Sequence, residues 1–188
     1  MDTSHSIDIT MESADWAAAL PDAEAIAAAA AAAALGGAAI SMEVSLVLAG
    51  DEFQRALNRD YRGRDEATNV LSFPGDPPPG AGQAPDHPTL LGDVVVAFGV
   101  TRREAEAQGS AIGLADHLSH LIIHGVLHLL GHDHQSDAEA EAMERLESRL
   151  LAGLGIADPH RRTVAPGARD LDNPSPTQGE EHDERRPG

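Results

Sequence analysis

The chain contains no cysteine and no lysine. Without cysteine there is no disulfide framework, no thiolate-bound zinc and no thiol nucleophile, which suits a reducing compartment. Without lysine all 13 basic residues are arginine, so Schiff-base chemistry and a phosphate-loop lysine drop out. Aromatic residues make up only 3% of the chain, and Trp16, Phe53, Tyr61, Phe73 and Phe98 show no stacking platform for bases in their sequence positions. Positive charge is scarce. The balance of 31 acids against 13 bases gives a net charge of -18, which argues against a general nucleic-acid coat, since such binding depends on neutralising phosphates.

Long apolar runs are missing as well. The eight alanines at 27–34 fall short of the roughly 18 apolar residues that read as a membrane span. No base precedes Arg55, so no positively charged start of a signal peptide is visible, and a cytoplasmic protein without a membrane segment is expected. The charge is unevenly spread. Residues 1–54 carry nine acids and no base, whereas 55–73 hold Arg55, Arg59, Arg62 and Arg64 against three acids. That short segment is the one place where positive charge gathers.

Residues 1–6 read as a flexible start, 7–158 as one domain, and 159–188, rich in proline, glycine and charge, as a disordered tail. Residues 75–88 form a second loose stretch, because its prolines block helix and sheet pairing. Apolar alternation marks strands at 7–11 and 40–48, the latter with Ile40, Met42, Val44, Leu46 and Leu48 on one face. Compact apolar strands follow at 70–73 and 92–98, the second expected to be central. Helices are expected at 22–35, 51–58, 100–109, 114–130 and 137–154, the last opened by a capping box of Ser136 and Glu139. The mixture implies an α+β domain, α/β-like in its mixing, with a small mixed sheet of about four strands covered by helices.

The chemistry concentrates in residues 124–134, which read His-Gly-Val-Leu-His-Leu-Leu-Gly-His-Asp-His. His124 and His128 stand four apart, so on a helix they share a face and can reach one metal ion. Gly131 can end that helix in the left-handed conformation and turn the chain back, offering His134 as a third ligand. Three neutral imidazoles would leave a zinc ion with its full charge and one open position, as in catalytic rather than structural sites. The helix is apolar nearly all round, and burying histidine there is costly unless its nitrogens find partners. His120 could compete with His134, His132 is another candidate ligand, and Asp133 could orient an imidazole. Zincin proteases place glutamate directly after the first histidine as general base; here that position is Gly125, which leaves room beside the metal or serves close helix packing.

This run resembles the signature of the YbeY family, bacterial metal-dependent endoribonucleases of ribosomal RNA maturation. The likeness extends to Leu57-Asn58-Arg59-Asp60-Tyr61-Arg62-Gly63-Arg64-Asp65, to Thr68-Asn69-Val70-Leu71-Ser72-Phe73-Pro74, to Leu91-Gly92-Asp93, and to His117 and His120, roughly residues 40–157 in all. The resemblance implies that His124, His128 and His134 hold one zinc ion per chain and that Arg62 is a functionally important arginine. It also implies single-strand-specific cleavage in 16S rRNA 3′-end maturation and ribosome quality control, with precursor RNA and the ribosome or its small subunit as partners. His132 departs from the usual tyrosine, and Arg64 and Ala67 from the common lysine and proline.

The residues agree with that expectation. Zinc lowers the pKa of a bound water to about 7 and polarises a phosphoryl oxygen, and Arg62 can clamp a phosphate with its planar fork. The products, a 5′-phosphate or a 2′,3′-cyclic phosphate, depend on which oxygen attacks. Two rival readings are a metal-dependent hydrolase of another substrate class and a non-catalytic ribosome-assembly factor whose metal only holds the fold.

Overall fold

The structure, a computed structural model, describes residues 5–75, 88–109, 113–132 and 136–160. Among the described residues four strands form one mixed sheet in the order β1-β2-β4-β3: β1 (Ser6–Met11), β2 (Met42–Ala49), β3 (Val70–Pro74) and β4 (Thr89–Ala97). β1, β2 and β4 run parallel, and β3 closes the series antiparallel to β4. The interior position of β4 agrees with its apolar sequence: Leu91, Val94, Val95, Val96 and Ala97 are all buried. Its pairing starts at Thr89, opposite Met42, earlier than the compact apolar run at 92–98 suggested, and continues through a register shift between Glu43 and Val44. Just before this end of β2, Ile40 is half exposed and lies outside the strand, although it fits the apolar alternation.

The helices are α1 (Ala14–Ala19), α2 (Ala23–Leu35), α3 (Asp51–Arg62), α4 (Phe98–Ala107), α5 (Leu114–Leu129) and α6 (Asp137–Gly153). α1 has no counterpart in the sequence reading, because six residues are too few to show a period. It is fixed by Ser13, which caps it, and by fully buried Trp16, whose indole N–H donates to the Ala49 carbonyl at 3.1 Å. The expected capping box at Ser136 and Glu139 is present, with both reciprocal bonds formed.

The alanine helix acquires a structural role here. Ala23, Ala27, Ala30, Ala31 and Ala34 form a buried stripe on α2, which packs chiefly against α5. Such small side chains let two helices approach closely, so α5 is enclosed by α2 on one side and by β3 and β4 on another. Leu118, Leu121, Ile122, Ile123, Val126 and Leu127 of α5 are buried in the main core. The expected loose stretch falls almost wholly outside the described residues, as do 1–4 and 161–188. At the margins of the expected flexible ends, Ser6 already pairs with Glu43, and His160 contacts α6.

Candidate metal centre and phosphate cleft

α5 presents His120, His124 and His128 along one stripe, as residues four apart on a helix must. The Nε2 atoms of His124 and His128 lie 3.1 Å apart. Two donors held at about 2.0–2.1 Å from one tetrahedral ion stand only slightly further from each other. α5 ends at Leu129, and Gly131 follows at φ 91, the left-handed conformation that favours glycine. The Gly131 N–H donates to the His128 carbonyl at 3.0 Å and the His132 N–H to that of Leu127 at 3.0 Å, so the chain folds back toward the histidine pair. His132 is exposed on this turn. His134 and Asp133, the expected third ligand and its possible orienting acid, lie outside the described residues.

Behind the pair stands Glu147 of α6, only 2% exposed. Its carboxylate accepts from His124 Nδ1 at 2.7 Å, from His120 Nε2 at 3.3 Å and from His160 Nε2 at 2.7 Å. Burial on its own would push the Glu147 carboxyl upward, but the hydrogen bonds and charges of His120 and His124 outweigh it and hold the group well below the usual carboxylate range. A carboxylate facing Nδ1 fixes the His124 tautomer: Nδ1 carries the proton, and Nε2 turns its lone pair toward His128. His120, His124 and Glu147 also bring one ligand atom each within 4.8 Å of one another, a group that could hold a metal ion.

Glu147 escaped the sequence reading because it is one carboxylate among 31 acids, on another helix. A signal existed. Met143, Glu147 and Leu151 share the buried stripe of α6 at four-residue spacing, and an acid on such a stripe requires partners.

Arg62, Asn69, Val70, Ser72, Pro74, His124, His128 and Leu129 line a cleft of about 380 Å³. Arg62 is the last residue of α3, which runs four residues beyond the end expected from the sequence and thereby brings this arginine to the cleft. Arg55 pairs with Asp65 at 2.7 Å and Arg59 with Asp60 at 3.1 Å, whereas neither Arg62 nor Arg64 has an acidic partner among the described residues. Asn69 donates to Glu104 at 3.0 Å, and Glu104 in turn accepts from His117 at 2.8 Å, so a partly buried polar chain supports this end of the cleft.

Gly125 faces the sheet. A Cβ there would stand 2.6 Å from Val94 Cγ1 and 3.1 Å from Ser72 Oγ, and the Ser72 hydroxyl donates to the Gly125 carbonyl at 3.0 Å. Close packing of α5 on the sheet therefore accounts for this glycine. No side chain, and hence no zincin-type base, fits at the position.

A family profile described as Endoribonuclease YbeY matches residues 8–155. The protein named Endoribonuclease YbeY from Paramagnetospirillum magneticum is 50% identical over 148 residues, covering 77% of this chain and 89% of its own. Its namesake from Alkalilimnicola ehrlichii is 51% identical over 152 residues, covering 78% and 86%. A Thermotoga maritima protein solved in solution aligns with 83% of this chain and 99% of its own, at 20% identity and a TM-score of 0.47. With the profile spanning most of the chain and relatives at this identity, the chain belongs to the YbeY family.

Proposed function

We propose that this protein is a metal-dependent endoribonuclease that cuts single-stranded precursor ribosomal RNA. The observation that carries the reading is the placement of two imidazole Nε2 atoms, 3.1 Å apart, in one cleft with an arginine that has no acidic partner among the described residues. The names of the relatives and of the matching profile support the same activity.

His124 and His128 would hold the ion through Nε2, with His134 as third ligand, and a set of three imidazoles suits zinc. Glu147 keeps His124 in the ligating tautomer and orientation. A divalent metal held there supplies a Lewis acid and an acidified water. Arg62 binds the phosphate and offsets the negative charge that builds on it, through a guanidinium fork matched to phosphate oxygens. The mildly basic 55–73 segment draws RNA toward the cleft across a surface that elsewhere repels it. Processing at the 3′ end of 16S rRNA, with the small ribosomal subunit as partner and the cytoplasm as compartment, follows from the family resemblance. No described helix is long and apolar enough to cross a membrane.

The test is metal analysis and single-stranded ribosomal RNA cleavage by the purified chain beside its His128→Ala and His134→Ala variants. One zinc per chain, lost in both variants along with cleavage while the fold survives, is the expected result. Unfolding of His128→Ala together with intact RNA processing by Arg62→Glu would favour a structural metal. Casein cleavage with RNA left untouched would favour a hydrolase of another class.

A further inference from the structure

Tyr61 is the chain's single tyrosine and is 71% exposed, on the last turn of α3. Its ring meets that of Phe73 edge-on, with centroids 5.1 Å apart and planes inclined by 61°. The contact braces the tyrosine without covering it. Sequence positions alone separate the two by twelve residues and hide the pair; β3 and the end of α3 bring them together.

The neighbours give the pair its meaning. Phe73 sits on β3 between Ser72 and Pro74, and Tyr61 directly precedes Arg62; those three neighbours all line the metal cleft. Side chains alternate along a strand, so Phe73 faces the side of the sheet opposite Ser72 and Pro74. Among the described residues β3 is the last strand of the sheet, so the two sides are separated there by one strand only. Arg64 follows two residues after Arg62, also without an acidic partner among the described residues, so an aromatic ring and two available guanidinium groups stand within four consecutive residues. Asp93 is opposite Phe73 in the ladder and therefore on its side of the sheet, where it disfavours a phosphate and leaves room for an uncharged group.

The geometry points to a stacking subsite at Tyr61, braced by Phe73, for one unpaired base of single-stranded RNA flanking the cut, with Arg62 and Arg64 on the adjoining phosphates. This rests on the reading of the cleft as an RNA-cutting site and adds to it a source of single-strand preference. Every base offers a π-face, and an aromatic side chain can stack on it only when the base has left its duplex. Paired RNA would bring the phosphates but withhold the base.

The experiment uses the full chain and a 2′-O-methyl single-stranded oligonucleotide, checked to be intact after incubation, with fluorescence anisotropy as readout. Tyr61→Ala should weaken binding about ten-fold, within the range one base–aromatic stack contributes. Tyr61→Phe should stay within about two-fold of the parent, since stacking needs the ring and not the hydroxyl. With fluorotyrosine incorporated, the single fluorine resonance should shift on adding single-stranded RNA and stay put with a duplex. Equal binding by the parent and a correctly folded Tyr61→Ala would overturn the subsite, as would equal losses in Tyr61→Ala and Tyr61→Phe, or no binding by the parent. Cleavage is assayed separately on unmodified RNA. Tyr61-dependent binding without cleavage would refute the nuclease reading alone, and cleavage with no Tyr61 dependence would refute the subsite alone.

Discussion

The carboxylate of Glu147 accepts the Nδ1 proton of His124 at 2.7 Å, so an acid on α6 sets the direction of a lone pair on α5. The two residues are 23 positions apart, and the link exists only once α5 and α6 pack together.

Glu147→Gln should weaken metal binding about 10- to 100-fold, the usual consequence of losing a carboxylate behind a ligand histidine. Competition against a coloured chelator measures it. If Glu147 were itself a ligand beside His120 and His124, the loss would be far larger and His128→Ala would leave affinity unchanged, which separates the two geometries.

Arg62→Lys keeps the charge and removes the fork. RNA cleavage should fall about ten-fold or more with metal content unchanged, because a point charge cannot take two phosphate oxygens at once. Steady-state kinetics beside metal analysis checks this, and a parallel loss of metal would show that Arg62 serves the site's integrity instead.

Gly125→Ala should cost about 1–3 kcal/mol of stability, as overpacking does, since its Cβ would press on Val94 and on the Ser72 hydroxyl. Urea unfolding of the two chains measures the difference. A neutral result would mean that α5 can slide away from β4 freely.

Removing the metal with a chelator should lower the melting temperature by on the order of ten degrees if the ion is present at about a thousand times its dissociation constant. The sheet and α2 should stay folded, because α5 is held mainly by its buried leucines and isoleucines. Circular dichroism before and after chelation tells a lost ligand from a lost fold.

The sheet and the histidine stripe could be read from the sequence because each follows a short period: alternation in β2 brings Met42, Val44, Leu46 and Leu48 inward, and four-residue spacing aligns His124 with His128. What escaped depends on distant packing. Glu147 and the Tyr61–Phe73 pair meet their partners through tertiary contacts that no local pattern encodes. The alanine run shows a helix plainly, but only the packed structure gives its function, as a thin wall against which the histidine-bearing helix can lie close. The reach of α3 to Arg62 was missed because its last turn is polar and shows no apolar spacing.

β3 borders the cleft, and among the described residues no further strand lies beyond it. A groove bounded by the rim of the molecule can be entered sideways, so a long polymer need not be threaded from a free end. An internal linkage can be laid across the rim, severed and released with both fragments leaving outward, which is the mode of cutting a mid-chain processing step requires.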